Sequence, residues 1–410
     1  MDIVIIADFC GRFNQKDNGR FTYLAQLLCE RHSVEIITSD FKHGEKKYFE
    51  FTPSDFPYKI TMLHEGYYKK NVCFQRFRAH YIWGKNVSRY LDSRKKPDVI
   101  YCAIPTLQAA YEAAKYCEKN EVRFIVDIQD LWPEAFEMSF HVPLLSPIVF
   151  APFQYLANAI YKRADEICAV SQSYVNRALL VNRKCKIGHS VFLGTSLKRF
   201  DENVRNNSSM KKDVDELWLA YCGTLGKSYD IEGVIEALDL LKNEKIKVPR
   251  FIVIGDGEKM DSLKELAKQK KVDAYFVGRL KYGEMCSLLC KCDMVVNPII
   301  STSAASIINK HGDYAASGLP VLNTQNSIEY INLVEKYKMG LNSKPGDVTE
   351  LAKNIRTLVQ DENIRLMMGR HARKCAIEKF DRDTTYIELI ETICVTKSEE
   401  EKIEHDKVES

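Results

Sequence analysis

Two stretches of the chain carry residue types at spacings that could handle a phosphorylated ligand. Residues 223–230, GTLGKSYD, follow the apolar run LWLAYC and precede a helical pattern. Gly223 and Gly226 leave room for backbone N–H groups to approach a phosphate, the helix that follows adds the positive end of its dipole, and Lys227 can neutralise the anion. The pattern is neither the GxGxxG fingerprint nor a P-loop, and an ordinary strand-to-helix turn uses the same glycines. Residues 309–321, NKHGDYAASGLPV, are more specific. A helix over 310–316 would place Lys310 and Asp313 on one side at i and i+3, and Gly318 would end it ahead of Pro320. A carboxylate there accepts hydrogen bonds from two vicinal hydroxyls, such as those of a ribose, while the ammonium meets a phosphate. The plainer alternative is a surface ion pair, which contributes less than about 1 kcal/mol. Two further loops stand out: Asn18-Gly19 after the first strand, and 127–134, DIQDLWPE.

Loops of this kind need rigid elements to aim them. Short apolar runs alternate with amphipathic helical patterns almost throughout: strands at 2–7, 33–38, 98–102, 123–127 and 166–170, with helices at 20–30, through 87–91, at 107–119 and at 154–163. This is the signature of a parallel sheet covered on both faces, a doubly wound α/β domain. Residues 198–213, KRFDENVRNNSSMKKD, contain almost nothing apolar and read as an interdomain linker. The alternation then restarts, with strands at 217–222, 250–254, 274–277, 294–297 and 320–323, so a second Rossmann-like domain follows. The expected organisation is an N-terminal domain at 1–197, the linker at 198–213, a C-terminal domain at 214–380, a returning helix at 381–396 and a charged tail at 397–410. The two sheets would face each other across a cleft.

At 410 residues with 45% hydrophobic and 28% charged residues, the chain has the composition of an ordinary globular protein of two or three domains. Its net charge of +3 is too small for a nucleic-acid binder. Split in two, the chain carries +7 over residues 1–200 and −4 over the rest. Residues 59–96 hold ten Lys and Arg against only Glu65 and Asp92, interleaved with aromatics. Such a stretch suits an anionic membrane or a phosphate-bearing ligand, or else a solvated helix face above core aromatics. The thirteen scattered cysteines point to reduced thiols and a cytoplasmic location. Cys286, Cys290 and Cys292 lack the spacing of a metal site and read as small buried hydrophobes. The opening MDIVIIADFC reads as a strand rather than a signal peptide. Residues 141–160 approach bilayer length, but three prolines interrupt them, leaving burial or an amphipathic contact with one leaflet.

Taken in order, NGRFTYLAQLL, PDVIYC, DIQDLWPE, RADEICAVSQS, FLGTSLKRF, YCGTLGKSYDIEGVIEAL, FIVIGDGE, CDMVVNPI and NKHGDYAASGLPVLNT resemble the GT-B glycosyltransferases of family 4, also called group 1. The resemblance runs over residues 1–395 or so, and EKFDRDTTYIELIETI resembles the family's last helix, which crosses back onto the N-terminal domain. It implies two Rossmann-like domains and retaining transfer of a sugar from a UDP- or GDP-linked donor, with no cofactor and no metal. Gly19 would bring backbone N–H toward the donor phosphate. Asp130 and Glu134 would lie by the transferred sugar and acceptor, Lys227 and Lys310 on the pyrophosphate, Asp313 on the ribose, and Gly255 and Gly257 beside the base. The DLWPE wording resembles the branch that builds bacterial surface polysaccharides, often on polyprenyl-linked acceptors at the inner face of the cell membrane.

The sequence departs from the family where the first of two glutamates eight positions apart would stand, because that position is Ala305. Ser303 or Ser306 is left to supply its hydrogen bonds. Two other functions fit the same fold: a sugar-nucleotide epimerase, for which His311 is the one histidine in the loop, and a non-catalytic partner subunit of another transferase.

Overall fold

The computed structural model describes residues 1–10, 13, 19–50, 54–70, 73–134, 146–207, 210–244, 246–300 and 307–395, with the backbone alone for 146–149. The chain divides into two compact units, one formed by Met1–Val191 with Tyr386–Ser410 and the other by Phe192–Thr385.

In the first unit, strands β1 (Asp2–Ile6), β2 (Ser33–Ser39), β3 (Lys59–Leu63), β4 (Val99–Ile104), β5 (Arg123–Ile128), β6 (Glu166–Ala169) and β7 (His189–Ser190) form a seven-stranded sheet in the order β3-β2-β1-β4-β5-β6-β7. Every pairing is parallel, and β1 sits centrally with Ile3 opposite Val34 on one side and Val99 on the other. Strand order reverses at β1, the topological switch point beside which doubly wound folds bind ligands. The runs DIVII, VIYCAI and RFIVDI are almost wholly buried because helices cover both faces. These are α1 (Arg20–Leu28), α2 (Phe74–Ser93), α3 (Leu107–Asn120), α4 (Ser146–Arg163) and α5 (Gln172–Leu179).

The second unit opens on α6 (Leu197–Asn206), which overturns the reading of 198–213 as linker. Its charged residues point outward, but Leu197 and Phe200 are buried in the core beneath, and two apolar residues three apart are enough to dock a short helix. Strands β8 (Trp218–Cys222), β9 (Arg250–Ile254), β10 (Ala274–Gly278), β11 (Met294–Asn297), β12 (Val321–Asn323) and β13 (Gly340–Asn342) form a six-stranded parallel sheet ordered β10-β9-β8-β11-β12-β13. This repeats the winding of the first unit. Between the strands lie α7 (Ile231–Asn243), α8 (Met260–Gln269), α9 (Tyr282–Leu289), α10 (Asn309–Ala316) and α11 (Ile328–Tyr337), followed by α12 (Val348–Gln360) and α13 (Glu362–Cys375). Cys286 and Cys292 are buried in its core. The segment expected as one last helix is broken into a π-helical turn at Ala376–Phe380, a short turn at Arg382–Thr385, and α14 (Ile387–Cys394). Tyr386, Leu389 and Ile393 pack into the core of the first unit.

The basic stretch at 59–96 is more ordered than its composition suggests, supplying β3 and the twenty-residue α2. Its aromatics divide: Tyr68 and Trp83 are fully buried, whereas Phe74, Tyr67 and Tyr81 are exposed. Among the described residues no helix is long and apolar enough to cross a membrane.

Candidate functional site

In the second unit the candidate donor residues gather at the carboxyl ends of β8 and β9. Gly223 N–H donates to Ile254 O at 2.9 Å and Leu225 N–H to Asp256 O at 2.9 Å, so the loops GTLGK and GDGE are laced together. The lacing explains two glycines. A Cβ on Gly255, whose φ is +148°, would stand 1.8 Å from Gly223 O, and one on Gly257 would stand 2.4 Å from Leu225 O. Gly226 differs, since a Cβ there would meet nothing nearer than Thr224 Cγ2 at 3.7 Å. Lys227 is exposed on this loop. Behind it Asp230 caps α7, its carboxylate accepting from Gly233 N–H at 3.0 Å.

Lys310, on the first turn of α10, turns toward the same loop. Its ammonium lies 3.8 Å from the centre of the Tyr229 ring and 4.5 Å from that of Tyr221, and donates to Tyr221 Oη at 3.5 Å. A Cβ on Gly223 would stand 2.8 Å from Lys310 Nζ, so the glycine makes room for the lysine as well. Burial pushes the Lys310 ammonium down to about 7, with Cys222 pulling slightly the other way. A cation held by two ring faces, with no described carboxylate paired to it, has its charge available for an anion.

Asp313 goes elsewhere. Tyr282 Oη donates to Asp313 Oδ1 at 2.8 Å and lies 2.9 Å from Thr195 Oγ1. Burial raises the Asp313 carboxyl to about 6, against hydrogen bonds from Tyr282 and Thr195 and the charge of Arg382. Among the described residues Lys310 and Asp313 form no ion pair, so the surface i,i+3 pair is not what these residues are for. His311 is fully buried, stacks on Tyr330 at 3.9 Å, and accepts the Ile308 N–H at 2.9 Å to cap α10. It holds the helix start in place, and this structural duty weakens the epimerase reading. Ser303, Ala305 and Ser306 lie outside the described residues.

In the first unit Gly19 is the N-cap of α1 in an extended conformation, and its carbonyl accepts from the Thr22 hydroxyl at 3.0 Å. Asn18 lies outside the described residues. The loop after β5 carries the remaining candidates. Asp130 is exposed; loss of surrounding water raises its carboxyl to about 6 and Arg76 pulls it back, but a group this open to solvent gains no stability argument from the shift. Glu134 is tied by its Oε1 to Arg177 Nε at 2.5 Å, and Arg177 also reaches Asn158 Oδ1 at 2.8 Å.

The sequence reading missed two groups in this unit. Arg20 binds Asp127 through Nε to Oδ2 at 2.7 Å and Nη2 to Oδ1 at 3.1 Å. The second group is a cluster at the carboxyl edge of the sheet: Asp8 beyond β1, Glu65 beyond β3, and His80 on α2. Thr106 donates to Asp8 Oδ2 at 2.7 Å and Ser39 to Glu65 Oε2 at 2.6 Å. Burial, with mutual repulsion adding to it at Glu65, raises both acids, and burial lowers the His80 ring to about 3. The ring of Trp132 stacks on His80 at 5.8 Å, and the Arg76 guanidinium lies 5.0 Å from the Trp132 ring. No local signal could have revealed this cluster, because its members are separated by 57 and 15 positions and only strand order brings them together.

Residues 204–375, all within the second unit, match the family model described as Glycosyl transferases group 1. Among characterised and uncharacterised relatives, the chain is 22% identical to an uncharacterized glycosyltransferase of Methanocaldococcus jannaschii over 228 residues, 55% of this chain and 57% of that one. It is 31% identical to a sulfoquinovosyl transferase of Arabidopsis thaliana over 36% of this chain and 29% of the relative. The chain thus spans little more than half the length of the first relative and under a third of the second. A putative colanic acid biosynthesis glycosyl transferase of Escherichia coli is 23% identical over 73% of this chain and 74% of its own. In fold, the chain resembles the Anabaena protein HepE solved in complex with UDP, with a TM-score of 0.67 at 16% identity, covering 96% of this chain and 99% of the other. WaaG, a glycosyltransferase involved in lipopolysaccharide biosynthesis, gives a TM-score of 0.64 at 12% identity, covering 96% and 99% of the two chains.

Proposed function

We propose, from the match of residues 204–375 to the group 1 glycosyltransferase model and the likeness of the two Rossmann-like units to GT-B structures, that the protein is a retaining glycosyltransferase. It moves a sugar from a UDP- or GDP-linked donor to a glycan or polyprenyl-linked acceptor in surface polysaccharide assembly. The observation that carries this reading is Lys310, a half-buried lysine whose ammonium sits on two tyrosine faces beside the glycine loop. Holding that cation in a site of low polarity is costly unless an anion arrives, and the pyrophosphate of a nucleotide sugar supplies one.

In this reading Gly223 and Gly226 let backbone N–H groups meet the phosphates, exposed Lys227 closes over them, and Gly255 and Gly257 border the base. Asp313 accepts hydrogen bonds from the ribose, sharing its carboxylate with Tyr282. Gly19 adds a backbone contact to the donor phosphate, Asp130 and Glu134 attend the transferred sugar and acceptor, and Ser306 stands in for the missing acid at Ala305. The departing phosphate takes the proton of the acceptor hydroxyl, which attacks from the same face. The protein contributes charge stabilisation and positioning, with lysines and a helix N-terminus in place of a metal at the leaving group.

The exposed Phe74, Tyr67 and Tyr81 amid basic residues 59–96 support contact with an anionic membrane that presents the acceptor. Release of free nucleoside diphosphate from UDP- and GDP-sugars, measured with and without a membrane extract as acceptor source, tests the function. Release that depends on the extract supports transfer. No release with any donor would leave the non-catalytic partner as the better reading.

A further inference from the structure

We propose that Asp8, Glu65 and His80 form a binding site for one divalent first-row metal ion within the first unit. The three side chains are 7%, 0% and 5% exposed and come from three separate elements, yet one donor atom from each lies within 4.8 Å of the other two. His80 Nε2 stands 3.8 Å from Glu65 Oε1 and 4.0 Å from Asp8 Oδ2. Two donors each about 2.1 Å from one ion stand roughly 3.4 Å apart in a tetrahedral site, so the three side chains draw together by a few tenths of an ångström or more on loading, with Asp8 free to offer the oxygen that Thr106 does not hold.

The second observation is what these groups lack. Among the described residues no donor group reaches Asp8 Oδ1 or Glu65 Oε1, both buried, so the two interior acids either share a proton with each other or meet a cation. Their other oxygens are already oriented, by the Thr106 and Ser39 hydroxyls, and the His80 ring is fixed by stacking on Trp132. Hydroxyls that aim carboxylates and a neighbour that fixes the imidazole are how outer residues prepare metal ligands. Two carboxylates and one imidazole suit Mn2+, Zn2+ or Co2+ better than Ca2+ or Mg2+.

Arg76 is the competitor. Its Nε donates to His80 Nε2 at 3.4 Å, and its guanidinium also lies 5.8 Å from the Phe9 ring and 6.0 Å from the Tyr68 ring. An arriving ion displaces the Nε contact, and the guanidinium keeps its place over the rings.

Equilibrium dialysis of the EDTA-stripped full chain against Mn2+ and Zn2+, with the visible spectrum of Co2+ as a report on ligation, tests this. One ion per chain is expected, with Co2+ bands that shift in His80→Gln. Glu65→Gln should weaken uptake at least tenfold. That variant removes a buried acid and keeps its shape, so its Tm without metal should not fall. Ser39→Ala should weaken uptake about tenfold, as loss of an outer partner does. Arg76→Gln should tighten it. Absence of stoichiometric uptake, or uptake that Glu65→Gln and His80→Gln leave unchanged, overturns the proposal and leaves the two acids sharing a proton instead.

Discussion

Arg20 and Asp127 meet through two parallel charge-assisted hydrogen bonds, at 2.7 and 3.1 Å, with their side chains only 2% and 0% exposed. The guanidinium also donates to Val191 O at 3.0 Å and to Tyr386 Oη at 3.3 Å. One side chain thus joins the first turn of α1, the end of β5, the strand β7 exit and the returning C-terminal segment. The fork of an arginine is needed for this, since a lysine has no second donor in the plane of the carboxylate.

Removing one partner should therefore be costly. Asp127→Asn or Arg20→Met is expected to destabilise the first unit by about 3–5 kcal/mol, because a buried charge is left unpaired. Urea unfolding followed by a probe in that unit checks this. The double replacement Arg20→Met with Asp127→Leu should recover much of the loss, and a double variant no better than the singles would contradict the argument.

Lys310→Ala and Lys227→Ala should each slow sugar transfer by roughly 100-fold or more, as loss of a charge-stabilising group does. Lys227 is exposed, so its variant should melt as the wild type does. Wild-type turnover in both variants would remove the lysines from the mechanism.

With Lys310 on the pyrophosphate, as proposed, its depressed ammonium should give donor binding a pH dependence. Burial holds it near 7 in the free protein, while a bound phosphate favours the charged form. Phosphate is itself almost fully ionised above about pH 7. Affinity for UDP should then fall as pH rises above about 7, and Lys310→Met should flatten the profile. For stability the sign is opposite: the unfolded lysine binds a proton up to 10.5, so this residue's penalty eases as pH rises from about 7 to 10.5. Calorimetric titration and thermal melts across that range check the two statements.

Gly255 and Gly226 should separate structure from binding. Gly255→Ala drives a methyl group against Gly223 O from a positive φ and is expected to cost about 3 kcal/mol or more. Gly226→Ala makes only an ordinary contact with Thr224 Cγ2 among the described residues, so its melting temperature should hold while UDP affinity drops. Equal affinity in Gly226→Ala would mean that no phosphate passes there.

The sheet strands were legible because DIVII, VIYCAI, RFIVI and MVVN are buried on both faces and need no alternation. The placing of the loop after β8 was legible for a related reason: strand, glycine, lysine and helix are contiguous. Residues 198–213 misled because composition averages over a helix, and α6 docks through only a few apolar residues, Leu197 and Phe200 with Val204 beside them. Arg20 was hidden differently. Within RFTYLAQLL it looks like an exposed cation at a helix start, and only pairing across 107 positions shows why it is buried. The cluster of Asp8, Glu65 and His80 is likewise a product of topology.

The first unit is built from both sides of the second, and this sets an order of completion during synthesis. Residues 1–191 leave the ribosome first, yet the part of their core that Tyr386, Leu389 and Ile393 complete stays uncovered until α14 arrives. At about 5–20 residues per second, translation of 192–385 occupies roughly 10–40 seconds, ample for the contiguous second unit to fold. The half made first is thus the half finished last, and during that interval its apolar surface is exposed to chaperones and to neighbouring chains.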